Sequence, residues 1–405
     1  MVRVKRILSE GILAVILWSE IMNNQIHLDC ISSRKMRASA KEQFTTNNEI
    51  FANTLTNYRT SNIASEIVEN SRRIISQSVG VLDSENLYFT SGPDEAANWA
   101  IKGLAWKLKN KNRKFIYTEA ESIRIKNPIR WLKKLKIDSA PIGMKNEGEI
   151  KLDLEHLKRL LEEDIAALCI EFSNSEIGFT NEIRSIVDIV RDYSPNTKII
   201  CDLSTQIGRG ELNIDSLGID LGIIDSQSFG GPNGIGALYI NPNTRIENMI
   251  HGDHSESGKR SGSQNIALIS SMAAAAQEMQ GNLENEISHL EEISLSAFNH
   301  LNRNWSDCKI NTPKVNLDKG ILNFMPSRIS SDMLVQEMSL KGYSIAQSGG
   351  CSSTNGLPSH VLKSIGLSDE EALSSVKFSF DYSTTLEEIE NAINILRDIV
   401  KLHSY

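Results

Sequence analysis

Cysteine is sparse and unpaired in this sequence. Cys30, Cys169, Cys201, Cys308 and Cys351 make an odd count, and no two form a CxxC motif. That excludes a disulfide framework and a zinc site and points to a reducing compartment. Long basic runs are missing as well, and the formal net charge is −8, so a nucleic-acid backbone is not an expected partner. The longest apolar run near the start, GILAVILW, is too short to span a bilayer, and no membrane partner is expected. There is no internal repeat and no low-complexity tract. What is present is ordinary for a globular protein: 405 residues, 40% hydrophobic and 23% charged. That is enough for a large core and two domains.

Arg3, Lys5 and Arg6 precede the apolar run as they would in a targeting segment. Glu10 interrupts that arrangement, and no small-residue cleavage site follows. Met22 opens MNNQIHLDC as a natural start would. Residues 1–21 are therefore expected to be a non-functional extension. The expected location is cytoplasmic, with the mitochondrial matrix as the alternative.

Further on, short apolar runs alternate with helical periodicity. Strands are expected at 114–117 (KFIY), 165–172 (IAALCIEF), 198–203 (KIICDL), 221–225 (LGIID) and 235–240 (IGALYI). Helices are expected at 61–79, 94–110, 152–164 and 181–192, and a long one from Asn265 to about Arg303. Such alternation predicts an α/β fold, a mostly parallel sheet with helices on both faces. The tail reads as a smaller α+β unit: KGILNF and SVKFSF extended, SDMLVQEMSLKG and a last segment from Leu386 helical. The expected division is 22–264 for the large domain, N-terminal arm included, and 265–405 for the connecting helix and small domain. The stripe of Met272, Met279, Leu283 and Leu290 is expected to be core or dimer contact.

Ligands of open α/β sheets bind beyond the carboxyl ends of the strands. Asn174–Glu176, Asp202 and Asp225–Ser228 fall there, and the turn FTSGPDEA enters a helix whose N-terminus suits a phosphate. Between Ile223 and Ile240, two apolar segments flank Gly230-Gly231-Pro232-Asn233-Gly234, a turn that something approaches closely. The set is suited to a phosphorylated cofactor.

The ordered motifs FTSGPDEAANWAIKG, SNSEIG, IICDLSTQIGRGEL, FGGPNGIGALYI, IHGDHSESGKRSGSQN and GGCSSTNGLPSHVLKSIGLSDEEALSSVKFSF resemble those of the cysteine desulfurases. These are the NifS/IscS-like members of the class V aminotransferases, and the similarity spans roughly residues 26–400. The resemblance implies the PLP-dependent transferase fold of type I and a dimer. It also implies chemistry in which pyridoxal 5′-phosphate (PLP), held as an imine by a lysine, serves as electron sink. A mobile-loop cysteine takes sulfur from L-cysteine as a persulfide and leaves L-alanine. By that resemblance Asp202 would pair with the pyridine nitrogen, Asn174 would lie beside the ring hydroxyl, and Ser263 would reach the phosphate from a neighbouring subunit. Cys351, in a small polar stretch expected to be mobile, would carry the persulfide.

The central positions depart from the family. Ser228 stands at the lysine position in Asp225-Ser226-Gln227-Ser228, and no lysine occurs between Lys198 and Lys259. A hydroxyl cannot form an imine. Ser122 replaces the ring-stacking histidine, and Thr205 the glutamine, with Gln206 adjacent. Lys377 replaces the substrate-carboxylate arginine and loses its bidentate fork. Asp94 and Asp225 replace hydroxyl residues of the phosphate cup, and Gln227 stands at the histidine of the family's Ser-x-His-Lys, a further cofactor-binding position. At about 5 Å and an effective dielectric of about 20, one carboxylate repels one phosphate charge by roughly 3 kcal/mol. A helix N-terminus contributes only about 1 kcal/mol. Asp94 also suits a helix start without any phosphate, beside Pro93 and Glu95.

The expected protein is a catalytically degenerate desulfurase homologue with a binding or regulatory role in sulfur or iron–sulfur metabolism. It would be a homodimer or pair with an active paralogue, and would meet a scaffold or sulfur acceptor. Two alternatives are an active PLP-dependent desulfurase and a pocket turned over to a cationic ligand. Asp202 also reads as a strand-end carboxylate, Asn174 as a turn residue, Cys351 as a relic, and His254 and His360 as surface or loop-packing residues. Cys169 and Cys201 are expected to be inert core thiols.

Overall fold

A computed structural model describes residues 25–108, 113–146, 149–349 and 356–403. Helices α1 (Ala38–Asn47) and α2 (Arg59–Ser78) precede the first strand of the large sheet, β1 (Leu87–Thr90). There follow α3 (Pro93–Lys107), β2 (Lys114–Thr118), α4 (Ile123–Trp131), β3 (Ser139–Ile142) and α5 (Leu154–Leu161). Next come β4 (Ile165–Glu171), α6 (Ile183–Tyr193), β5 (Lys198–Asp202), β6 (Leu221–Asp225) and β7 (Gly236–Ile240). These seven strands form one sheet in the order β1-β7-β6-β5-β4-β2-β3. Only β7 runs against its neighbours, antiparallel to both β6 and β1, while the other pairings are parallel.

The sheet is mostly parallel because helices cover both faces. Every residue of β4 is buried, as expected of a strand with no solvent face. One face carries Leu168, Ile170 and Ile224 against α1, α2 and the long helix α7 (Ile266–Asn304). The other carries Phe115, Cys169 and Ile200 against α3 and α4. Parallel register sets Glu171 beside Asp202, and Asp202 beside Ile223. The carboxyl ends of β4, β5 and β6 therefore place Glu171, Asp202 and Asp225 along one edge.

The turn after β6 is built around its glycines. A Cβ on Gly231 would lie 2.2 Å from Ser226 Oγ, and Gly230 holds φ at 82° with its carbonyl bonded to the Arg37 amide. What approaches this turn closely is the chain itself.

A second sheet, antiparallel throughout, runs β8 (Lys309–Ile310), β9 (Ile321–Met325), β11 (Val376–Ser379) and β10 (Ala346–Gln347) in spatial order. Helices α8 (Ser331–Leu340) and α9 (Leu386–Leu402) pack on it. Helix α7 serves both cores, giving Met272 and Met279 to the large one and Leu290 and Leu301 to the small. The segment before α1, grouped above with residues 22–264, packs with the small domain. Ile26–His27 pairs with Tyr343–Ser344, and Leu28 enters the small core. Arg37 ties the parts together. Its buried guanidinium makes a bidentate pair with Glu286 (2.8 and 2.7 Å), and its Nε donates to the Phe229 carbonyl (2.8 Å). Among the described residues no helix is long and apolar enough to cross a membrane.

Candidate functional site

A cleft of about 350 Å³ opens at the carboxyl edge of the large sheet, under the small domain. Asp94, Ser122, Asn174, Asp202, Thr205, Asp225, Gln227, Ser228 and Lys377 all line it. Ser263 does not; it is exposed on the segment before α7. Cys351 lies outside the described residues. A larger cavity of about 750 Å³, between residues 207–217 and α7, is lined by none of these candidates.

The centre of the cleft holds a residue that sequence reasoning passed over. Arg124, in the first turn of α4, reaches across the strand ends. Its Nη1 donates to Asp202 Oδ2 and to Ser204 Oγ, both at 3.1 Å. Its Nε stands 3.8 Å from Asp94 Oδ2. Burial works against the guanidinium charge, but Asp202, Asp225 and Asp94 outweigh it and raise the Arg124 pKa. The acidic cup read from the sequence thus encloses a cation of the chain's own. One signal was available: a cation in a helix's first turn is unfavourable unless something compensates it.

The two cup carboxylates differ. Asp94 is at the rim, with 78% of its side chain exposed, so solvent screens it heavily. Asp225 is half-buried, and desolvation lifts its pKa despite the opposing pull of Arg124. Asp225 Oδ2 accepts from Ser228 Oγ at 3.3 Å, and Oδ1 from the Gln227 amide at 3.2 Å. The Ser91 amide near the α3 N-terminus is taken by Glu95 Oε2 at 2.6 Å.

Most of the remaining candidates are held by their own surroundings. Asn174 is buried: its amide nitrogen donates to the Ala120 carbonyl and to Glu171, while its oxygen accepts from the Glu176 and Ile177 amides. That is a turn residue with its bonding complete. Gln206, next to Thr205, is held by Ser173 and the Glu211 carbonyl. Gln227 donates to the Ser32 carbonyl (2.7 Å). Lys377 is buried beside Asp29 (3.7 Å) and the Ser175 carbonyl (3.4 Å). Ser122 Oγ has no partner. His360 also lines the cleft, its Nε2 2.7 Å from the Glu121 carbonyl oxygen.

Two buried carboxyls stand here, Glu171 in the cleft lining and Glu121 beside it. Burial pushes Glu121 up to about 8, and burial together with the Glu121 charge pushes Glu171 well above the carboxylate range. Glu121 Oε1 accepts from Thr118 Oγ1 and from the Glu171 amide, whereas Oε2 has no partner. The clue to Glu171 was a lone charge ending an otherwise apolar strand. Cys169 and Cys201 are core thiols whose pKa burial raises well above the ordinary value, and only a thiolate is nucleophilic.

Known proteins share this architecture. Residues 39–392 match the family described as aminotransferase class-V. The cysteine desulfurase IscS of Dictyoglomus turgidum is 29% identical over 381 residues, covering 94% of this chain and 95% of the relative. The cysteine desulfurase IscS of Rickettsia typhi is 31% identical over 335 residues, covering 82% and 80%. The solved structure of a NifS-like protein from Rickettsia africae superposes with a TM-score of 0.83 at 23% identity, covering 93% of this chain and 99% of that one.

Proposed function

The chain belongs to the class V aminotransferases, among the relatives of the IscS/NifS cysteine desulfurases, and from that premise we propose that it is a degenerate desulfurase homologue that does not hold PLP as an imine. Arg124 carries the reading. Its guanidinium is ion-paired to Asp202, the family's position for the cofactor's pyridine nitrogen, and borders Asp94 and Asp225 of the phosphate cup. With Ser228 at the lysine position, Lys377 is the only lysine lining the cleft among the described residues, and it is engaged by Asp29. This donor set does not fit PLP: the ring-nitrogen partner is taken, the cup is acidic, and no free amine is at hand. The same guanidinium weighs against the alternative of a cationic ligand, since the cup already borders a cation of the chain's own.

The role that remains is binding or regulation in sulfur or iron–sulfur metabolism, as a homodimer or beside an active paralogue. Cys351 would accept sulfur from a donor rather than generate it. The test is the absorbance of the purified protein with and without added PLP, followed by borohydride reduction and peptide mapping. No aldimine band and no reduced adduct are expected. A PLP-modified lysine anywhere in the chain would overturn the reading and make the protein a candidate active enzyme.

A further inference from the structure

Another part of the cleft lining has the reverse electrostatic problem. Arg209 lines the cleft and is only 2% exposed. Its Nη1 donates to the Lys319 carbonyl, but its Nη2 has no acceptor. Close by, the Arg34 side chain is 1% exposed, and its Nη1 donates to the Ser228 carbonyl while its Nε and Nη2 have no acceptor. One carboxylate serves both. Asp381 Oδ2 is 3.7 Å from Arg34 Nε, beyond hydrogen-bond reach, and its Oδ1 is taken by the Ser383 amide and hydroxyl. Cys30, which lines the cleft between these groups, is kept as a neutral thiol: burial and then Asp381 push it up to about 12. The cluster therefore holds two guanidiniums against one carboxylate, with three guanidinium nitrogens lacking acceptors.

Buried charges are tolerated when paired and hydrogen-bonded, and a guanidinium's planar fork matches an oxyanion. Burial and the neighbouring Arg34 charge also pull Arg209 down to about 9, so an anion between the two would relieve a real repulsion.

We propose that Arg34 and Arg209 form a site for one small oxyanion, of carboxylate, sulfate or phosphate size, entered from the cleft past Cys30. The site is separate from Lys377, which has its own carboxylate in Asp29, and it holds whether or not PLP binds.

Equilibrium dialysis of radiolabelled inorganic phosphate against the purified protein should show saturable binding, one per chain. Chloride at equal ionic strength should not displace it. Competition by sulfate alone would identify a tetrahedral oxyanion, and equal competition by acetate a carboxylate. Arg209→Gln should weaken binding at least 10-fold, and Lys377→Gln less than 3-fold. Should Arg209→Gln fail to fold, Arg34→Gln carries the same expectation. No saturable binding to the wild-type protein, binding kept within 3-fold in the folded Arg209→Gln variant, or an equal loss in Lys377→Gln would each overturn the assignment.

Discussion

Replacing Arg124 by methionine removes the cation from the cup while keeping most of the side-chain volume. Three carboxylates then face one another without it: Asp202, with 5% of its side chain exposed, Asp225 and the rim residue Asp94. Removing one partner of a fully buried ion pair costs about 3–5 kcal/mol. Arg124 is 25% exposed, so water can hydrate part of what is left, and about 2–3 kcal/mol is the expected loss. The Asp94 contact adds at most a few tenths, because its carboxylate is largely in solvent. At about 2 °C per kcal/mol for a large domain, the melting temperature should fall by about 4–6 °C. Asp202→Asn should cost a similar amount, and the double variant much less than the sum, with a coupling of about 1.5–2.5 kcal/mol. The assay is thermal and urea unfolding of all four proteins in low salt and in 1 M NaCl. If the pair is buried as described, salt should leave the coupling nearly intact. An Arg124→Met protein within 0.5 kcal/mol of the wild type, or a coupling that vanishes in high salt, would show that the guanidinium does not neutralise the cup.

Ser228→Lys alone should not restore PLP binding, because Ser228 Oγ is already 3.3 Å from Asp225 Oδ2 and a lysine there would pair with that carboxylate and stay protonated. Only with Asp94→Thr and Asp225→Ser added should titration detect binding, and tight binding by the single variant would refute the electrostatic reasoning. Glu121 has a folded pKa raised to about 8, so its contribution to stability is full below the ordinary carboxyl range and is lost as pH rises through about 8. Wild type should therefore lose several °C more than Glu121→Gln between pH 6 and pH 9; reading the difference matters because Lys126, pushed down to about 8 by burial, titrates there with the opposite sign. Parallel profiles would mean that Glu121 is ionised throughout. Alkylation should label Cys351 much faster than Cys169 or Cys201, whose buried thiols resist ionisation, and equal slow labelling of all three would make Cys351 inert.

The central strands were legible because a strand buried on both faces must be apolar along its whole length. IAALC and KIIC leave little else to read, and the structure has Ile165–Glu171 and Lys198–Asp202. The helix from Asn265 was legible because 39 residues pass without a proline, and its cap is visible: Asn265 accepts from the Leu268 amide. The expected helix at 152–164 is shorter, Leu154–Leu161, because Asp153 caps it and the following acids lie outside. Strands β1 and β3 escaped notice. Each has four residues, and the second, SAPI, contains a proline tolerated at a sheet edge. Helix α4 was hidden by Pro128 inside it. The order of the strands was not legible at all, since contacts between distant segments leave no local period.

The cup shows most clearly what a residue-by-residue reading leaves out. Asp94, Asp202 and Asp225 come from a helix start and two strand ends, and each could be placed by its own motif. Their sum could not be read that way, because the neutralising charge belongs to Arg124, in a segment with no motif. Asp94 read as a full repulsion toward a phosphate, whereas the structure sets it at the rim in solvent. Counted with Arg124, the three carboxylates leave two formal negative charges rather than three. The cup thus keeps a negative balance toward a near-dianionic phosphate, and its own cation pairs through Nη1 with Asp202 and Ser204. Ser228 offers no amine for an imine, and Arg124 gives the three carboxylates a cationic partner within the chain.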